Sequence, residues 1–364
     1  MKPLKKVLSV LLRWETMLLA LLVLLWVIFD ARDAARDAEL IARGRKAKDV
    51  FNFANMLGSM GVYMLYSFMA LGMALLLGMG DIDISVGAIA ALSASVMGIS
   101  YRAMTGVGLH SGVSFAISIV LCLLTGSLCG GINGFFVTRF RELFPMIITL
   151  GTQLFFRGFC YLFLGGDTLK FDGDATWAGI KVLYNGSVSL CGFNVPTILF
   201  WFLGFAVIFF VALHLTTAGR KLFAIGTNRT AALYSGVNVD RFELWMFVIC
   251  GFMTAITSLF YIGSASATIR ADAMTGYEMY AIAVVVLGGF STGGGKGNII
   301  GVILSVLIFA VMKKGLGTLY GFPDSTVNLA VGLVLVASAL LPNIAEYVSK
   351  QIRLRRQRVK LPEA

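Results

Sequence analysis

Stretches without charge divide the chain into ten apolar segments: 16–29, 56–80, 84–101, 113–138, 143–164, 196–215, 244–262, 279–290, 298–312 and 325–341. A membrane-crossing helix needs about 20 mainly apolar residues, and an ionised side chain near the bilayer centre costs about 3 kcal/mol or more. The segments therefore predict an all-α polytopic integral membrane protein of about ten transmembrane helices, some short or broken. The eighth and ninth are the short ones, and the first extends backwards past Arg13 and Glu15. Residues 1–345 form a single transmembrane domain, followed by a basic tail, 346–364. Three polar stretches stand out: a charged segment at 30–50, a main external loop at 165–195, and a long inner loop at 216–243.

Composition agrees with that pattern. The 364 residues are 58% hydrophobic and only 13% charged, with a mean hydropathy of +0.85, whereas soluble domains carry roughly 25% charge. Water-soluble enzymes and disordered chains are excluded, and the surrounding partner is membrane lipid. A net charge of +11 on a soluble protein would suggest nucleic acid, but no segment interleaves aromatic and basic residues as such binding requires. Basic residues instead collect in alternate loops. With the N-terminus inside, 17 Lys and Arg fall on the cytoplasmic side and 12 outside, so both termini are predicted cytoplasmic. The 30–50 segment holds six basic residues and five acids, and its Ala, Arg, Asp and Glu content predicts a short surface helix. No Ala-x-Ala cleavage signal follows the first apolar run, so an uncleaved first helix is expected.

Enzyme chemistry is poorly represented. Cys122, Cys129, Cys160, Cys191 and Cys250 are scattered without ligand spacing, which predicts neither a disulfide framework nor a zinc site. His110 and His214 lie at helix ends as interfacial, satisfied imidazoles. The run Gly288–Gly297 invites a phosphate-loop reading, yet the G-x-x-x-x-G-K-[ST] spacing fails at Phe290 and Gly297. It is read as a turn in which glycines let backbones pack, with Lys296 facing the cytosol. Gly126, Gly130 and Gly134 repeat every four residues, as do Gly87, Ala91 and Ser95; such stripes let another helix approach closely. No catalytic residue and no metal ligand is assigned.

Two places carry more information. Asp81 and Asp83 interrupt about 45 nearly charge-free residues (positions 56–101). Buried carboxylates at a helix break line a path or hold the break in place; Asp83 or Ser85 could equally cap the next helix. In the inner loop, Asn228 opens a short helix with Ala231, Ala232 and Ser235 at helical spacing, and Gly236 stops it. A surface helix of that kind can sit in another protein's groove.

Three groups of motifs together resemble the ribose-type permease family of ATP-binding-cassette (ABC) importers. The first is Gly80-Asp-Ile-Asp-Ile-Ser-Val-Gly87. The second is Gly131-Ile-Asn-Gly134 followed by Pro145-Met-Ile-Ile-Thr-Leu-Gly151. The third joins Gly219-Arg220, Ala224-Ile-Gly-Thr-Asn228, Ala231-Ala232 and Ser235-Gly236 to Val285-Val-Leu-Gly-Gly289 and Gly293–Gly297. The resemblance spans roughly residues 50–342. Thr227 departs from it where a glycine is usual, Met146 where a Phe is usual, and the charged segment after helix one is long.

The resemblance implies a bacterial inner-membrane permease that translocates a sugar. Its partners would be ABC ATPase subunits, a periplasmic sugar-binding protein, and a second permease copy or paralogue. It implies no cofactor in this chain, ATP and Mg being bound by the partner ATPase, and it leaves open whether the solute is ribose, another pentose or deoxyhexose, a galactoside or the furanosyl autoinducer. Gly226, Asn228, Ala231, Ala232, Ser235 and Gly236 would couple to the ATPase. Asp81, Asp83, Ser85, Asn133, Thr149, Gln153 and Phe155 are the candidates for the translocation path or the structural helix break. The alternative class is an ion-coupled secondary transporter, which would use Asp81 or Asp83 and would not need the 228–236 helix.

Overall fold

Each of the ten apolar segments carries a helix. The computed structural model describes residues 14–340 apart from 47–49, 172, 191, 265–266, 324, 335 and 338–339. The basic flank Lys2, Lys5, Lys6 and Arg13, Cys191 and the tail 346–364 lie outside the described residues.

In chain order the helices are α1 (Trp14–Ala42), α2 (Phe53–Tyr63), α3 (Ser67–Met79), α4 (Val86–Gly106), α5 (Ser111–Arg139) and α6 (Pro145–Leu164). Then come α7 (Ala178–Asn185), within the 165–195 stretch, α8 (Thr197–Phe210), α9 (Thr217–Thr227), α10 (Arg229–Tyr234), α11 (Val239–Ser264), α12 (Tyr277–Leu287) and α13 (Ile299–Lys314), with α14 at Ser325–Val334. By length and composition, seven described helices can cross a membrane, or eight when α2 and α3, bent by 64°, count as one span.

Two boundaries differ from expectation. The charged 30–50 segment does not form a separate surface helix: α1 runs unbroken to Ala42. Nothing between Phe29 and Ala42 is a helix breaker, and Ala, Arg and Glu propagate a helix well. Asp33 is tucked inward, accepting from the Val50 and Phe51 amides (2.8 and 2.6 Å). The ninth segment is not short, because a π-helical turn, Gly315–Leu319, extends α13. The lysines that seemed to end it are accommodated, Lys314 by the Asn55 carbonyl and Ser59 hydroxyl and Lys313 over the Tyr280 ring at 3.9 Å.

Helix α3 is apolar on every side, and all 13 of its residues are buried; a helix without a polar face belongs in the core. Around it pack α8, α9, α11, α12 and α13. The Gly126-Gly130-Gly134 stripe of α5 meets α11, where an added Cβ at Gly126 or Gly130 would lie under 3.0 Å from the Gly251 or Phe247 carbonyl. That is the close approach the spacing predicts. Both histidines cap helices: His110 Nδ1 accepts from Gly112 N, and His214 Nε2 from Ile299 N. Cys122, Cys129, Cys160 and Cys250 are buried free thiols.

The bundle has two distinct ends. At one, the 79–83 break, the α5–α6 turn, the α9–α10 junction and Gly293 surround a single cavity. At the other, residues 165–195 fold over α4 and α5. There β1 (Leu169–Lys170) pairs antiparallel with β4 (Thr268–Ile269), and β2 (Ser187–Leu190) with β3 (Phe193–Pro196). Since α1 begins beside Leu287 and Asn298 and later packs Phe29 against Gly315, its charged half reaches the end opposite the 216–243 loop.

Candidate functional site

Buried polar side chains gather at the break between α3 and α4. Gly80 ends α3 in the left-handed conformation (φ 91°), which releases residues 81–85 from the helix. Asp83, fully buried, accepts from the Ser85 amide (2.8 Å), the Ser85 hydroxyl (2.6 Å) and Asn133 Nδ2 (3.0 Å). Asn133 Nδ2 also reaches Ser85 Oγ at 2.7 Å. Thr149 Oγ1 accepts from Ile84 N (3.2 Å) and lies within donating distance of the Ile82 carbonyl (3.3 Å). Asp83, Ser85, Asn133 and Thr149 thus form one connected group that ties the break to α5 and α6.

Asp81 points elsewhere. One nitrogen of Arg229 lies 3.2 Å from Asp81 and 3.1 Å from Glu243. Arg141 pairs with Glu243 at 2.6 Å and also with Asp240. Three carboxylates and two guanidiniums therefore connect four pieces of chain: the break, the α5–α6 turn, α10 and the start of α11. Burial, and next the Glu243 carboxylate, raise the Asp81 pKa against the pull of Arg229. Asp81 and Asp83 are thus both engaged by groups of the chain itself.

The long inner loop contains two helices where one was expected. Thr216 caps α9 through Ala218 N (3.1 Å). Asn228 caps α10 through Ala231 N (2.9 Å), and Gly236 follows in the left-handed conformation (φ 83°). The predicted coupling residues divide by direction. Ala232 is buried, and Gly226 packs backbone to backbone, where a Cβ would lie under 3.0 Å from Gly78 O and Gly295 N. Asn228, Ala231, Ser235 and Gly236 are exposed, beside Leu233 and Tyr234, which are 57% and 86% exposed. The glycine turn 293–297 touches the same spot, its Gly295 amide donating to Gly78 O at 2.9 Å.

A second polar cluster lies further along α6. Gln153 Nε2 reaches Glu278 Oε1 at 3.5 Å, and Glu278 also accepts from Gly276 N (3.1 Å). Arg157 donates to the carbonyls of Ala271 and Ala273, both at 2.7 Å, which holds the irregular stretch ahead of α12. Met274 in that stretch has φ 55°, a conformation uncommon outside glycine. Phe155 is not in this cluster. It faces away from the bundle, 57% exposed, its ring edge-on to Phe159 at 4.8 Å.

Arg141, Arg229, Asp240, Glu243, Arg157 and Glu278 were not among the predicted site residues. The available signal was a charge inside or at the edge of an apolar run, which Arg157, Glu243 and Glu278 all show. Among the described residues no group of three His, Cys, Asp or Glu is placed to hold a metal ion.

The family described as branched-chain amino acid transport system / permease component matches residues 55–339. The chain belongs to this family. It is the permease subunit of an ABC importer and a multi-pass protein of the inner membrane. Among its relatives, the autoinducer 2 import system permease protein LsrD of Shigella flexneri is 30% identical over 351 residues, 95% of this chain and 94% of the relative. The same protein of Escherichia coli (strain SMS-3-5 / SECEC) is 29% identical over the same length. No solved structure matches.

Proposed function

We propose that this permease imports a sugar or sugar-like solute. A periplasmic sugar-binding protein delivers it to the outer end, and ABC ATPase subunits, which bind ATP and Mg, dock on the exposed face of α10. A second permease copy or paralogue completes the path, and the outward face of α6 with Phe155 meets that partner or lipid. The observation that carries the proposal is α10 itself: a capped helix at the inner end whose outward side chains, Leu233 and Tyr234, have no internal packing role.

One support for the solute class is how charge is used. Asp81, Asp83, Arg141, Arg157, Arg229 and Glu243 all bond within the chain, and a hydroxyl-rich neutral molecule needs no ionic partner. The likeness to permeases named for autoinducer 2 import supports the same class.

The test is vanadate-sensitive ATP hydrolysis by the complex that purifies with the tagged chain from its native membrane. Interface anchors are worth about 2 kcal/mol or more, roughly 30-fold, so a Leu233→Glu, Tyr234→Glu double variant should lose the ATPase while remaining folded. A folded wild-type chain with no associated ATPase would overturn the docking proposal. Uptake by the same membranes should be competed by ribose, a galactoside or the furanosyl autoinducer and not by leucine; competition by leucine alone would overturn the sugar.

A further inference from the structure

We propose that Arg229 is a positioning residue that transmits movement of α10 to the α3–α4 break, acting as a latch between the ATPase-docking helix and the membrane core. This rests on α10 being the docking helix. Arg229 is the first residue of α10, yet its side chain is turned inward, and a single nitrogen spans Asp81 on the break and Glu243 on α11. It is not part of the exposed docking face.

Three observations make this contact a latch rather than ordinary packing. First, α10 is held weakly by apolar contact, since Ala232 is its one buried side chain among the described residues. Second, a partly open cavity of about 280 Å³ lies at its N-terminal end, lined by Asp81, Arg141 and Arg229 together with Gly226, Thr227 and Asn228. That end of the helix has room to shift. Third, the same charges allow more than one pairing: Arg141 already serves Glu243 and Asp240, so Glu243 can be passed from one arginine to the other. Close-packed apolar side chains offer no such exchange.

Gly226 supplies the fixed point. Its backbone is pressed against Gly78 and Gly295, so α10 can tilt about the α9–α10 junction while α9 stays with α3. What Arg229 pulls on is Asp81. Two residues later, Asp83 is held to Asn133 on α5, and Ile82 and Ile84 to Thr149 on α6. A displacement of Asp81 therefore reaches both helices that flank the break, and α6 carries Gln153 and Arg157 deeper into the membrane.

The experiment uses the complex purified with the full chain and needs no knowledge of the solute. A thiol is introduced by Thr152→Cys, one turn beyond Thr149, and its maleimide labelling is compared without nucleotide and after trapping with ATP and vanadate. The parent chain without that substitution sets the background from the native thiols. Coupling between sites is typically worth about 5- to 150-fold, so labelling should change by roughly 10-fold on trapping. With Arg229→Gln the change should collapse to less than about 2-fold while ATP hydrolysis continues, and the exchanged pair Arg229→Asp, Asp81→Arg should restore it.

An unchanged response in Arg229→Gln overturns the latch. Loss of the ATPase from a folded Arg229→Gln chain overturns it too, because Arg229 would then only hold α10 for docking. If Arg229→Gln fails to fold, Asp81→Asn decides: it removes the charge that Arg229 pulls on and leaves Arg229 paired with Glu243, and a full response from it overturns the proposal. Absence of any ATPase from the wild-type complex is a different failure, that of the docking reading itself.

Discussion

The two ends of the bundle are closed by different physics. The end bearing the α3–α4 break, inner in the proposed orientation, is held by ion pairs and by glycine backbones in contact: the buried carboxylates Asp81 and Glu243 with the half-buried Arg229 and Arg141, and Gly78, Gly226, Gly294 and Gly295 against one another. The outer end is held by aromatic packing. Trp177 is fully buried, stacked on Phe171 at 4.3 Å and edge-on to Tyr101 and Phe115 at 5.2 and 5.3 Å. Beside that cluster the Arg270–Asp272 pair stays at the surface, both side chains more than half exposed; the buried charges Asp33 and Lys314 of this end lie apart from it on α1 and α13.

Aromatic clusters gain from area and shape and have one good arrangement. Charge networks keep several pairings and penalise the loss of any one partner. The aromatic cap around Trp177 thus favours one arrangement, and the charged cluster around Asp81 allows a few.

The largest effect should come from filling the inner glycine contact. In Gly226→Leu the new side chain has no space against Gly78 and Gly295, and overpacking into backbone costs about 3 kcal/mol or more. Loss of monodisperse protein after detergent extraction is the expected result. The matching outer change is Gly173→Ala, where nothing lies within 4 Å and φ is ordinary; it should leave yield and thermal midpoint unchanged. Equal outcomes at the two sites would break the contrast.

Next in size is Trp177→Ala. Removing a fully buried large aromatic costs about 3–5 kcal/mol, read as a lower thermal midpoint and faster proteolysis of the 165–195 loop. Because that packing is apolar, the loss should be the same at low and high salt. A salt-dependent loss would mean that charge holds the outer end as well.

Much of this architecture was legible along the chain, and the reason is locality. Uncharged runs marked all ten helices, the four-residue glycine repeat foretold the α5–α11 seam, and Asn228 and Gly236 bracketed α10. Asp81 and Asp83 stood out as carboxylates in an apolar run. Their partners did not: Arg229 is 148 positions from Asp81, and Asn133 is 50 from Asp83, and no spacing rule links such positions. Direction was also hidden. Gly226 and Ala232 matched the family pattern, but only the folded chain separates their inward role from the exposed Leu233 and Tyr234. Trp177 lies in the polar 165–195 stretch, and only the fold places Phe171, Tyr101 and Phe115 around it.

The smallest expected effect concerns Asp174, a carboxylate that joins the aromatic cap. Asp174 accepts from the Tyr101 hydroxyl and from Thr176 N (2.9 Å), and chiefly the Tyr101 hydrogen bond lowers its pKa. A folded pKa below the unfolded value, about 3.9, adds stability that is fully present above the unfolded value and is lost as pH falls through the folded one. Between pH 7 and 5 the thermal midpoint should therefore exceed that of Asp174→Asn by a constant, small margin. Below about pH 4 the margin should shrink, and Tyr101→Phe should remove most of it at every pH. Asp174 is half-buried, so water partly screens the bond and the margin should stay well under the Trp177→Ala loss. A margin as large as that loss would show that the outer end, too, depends on a charge.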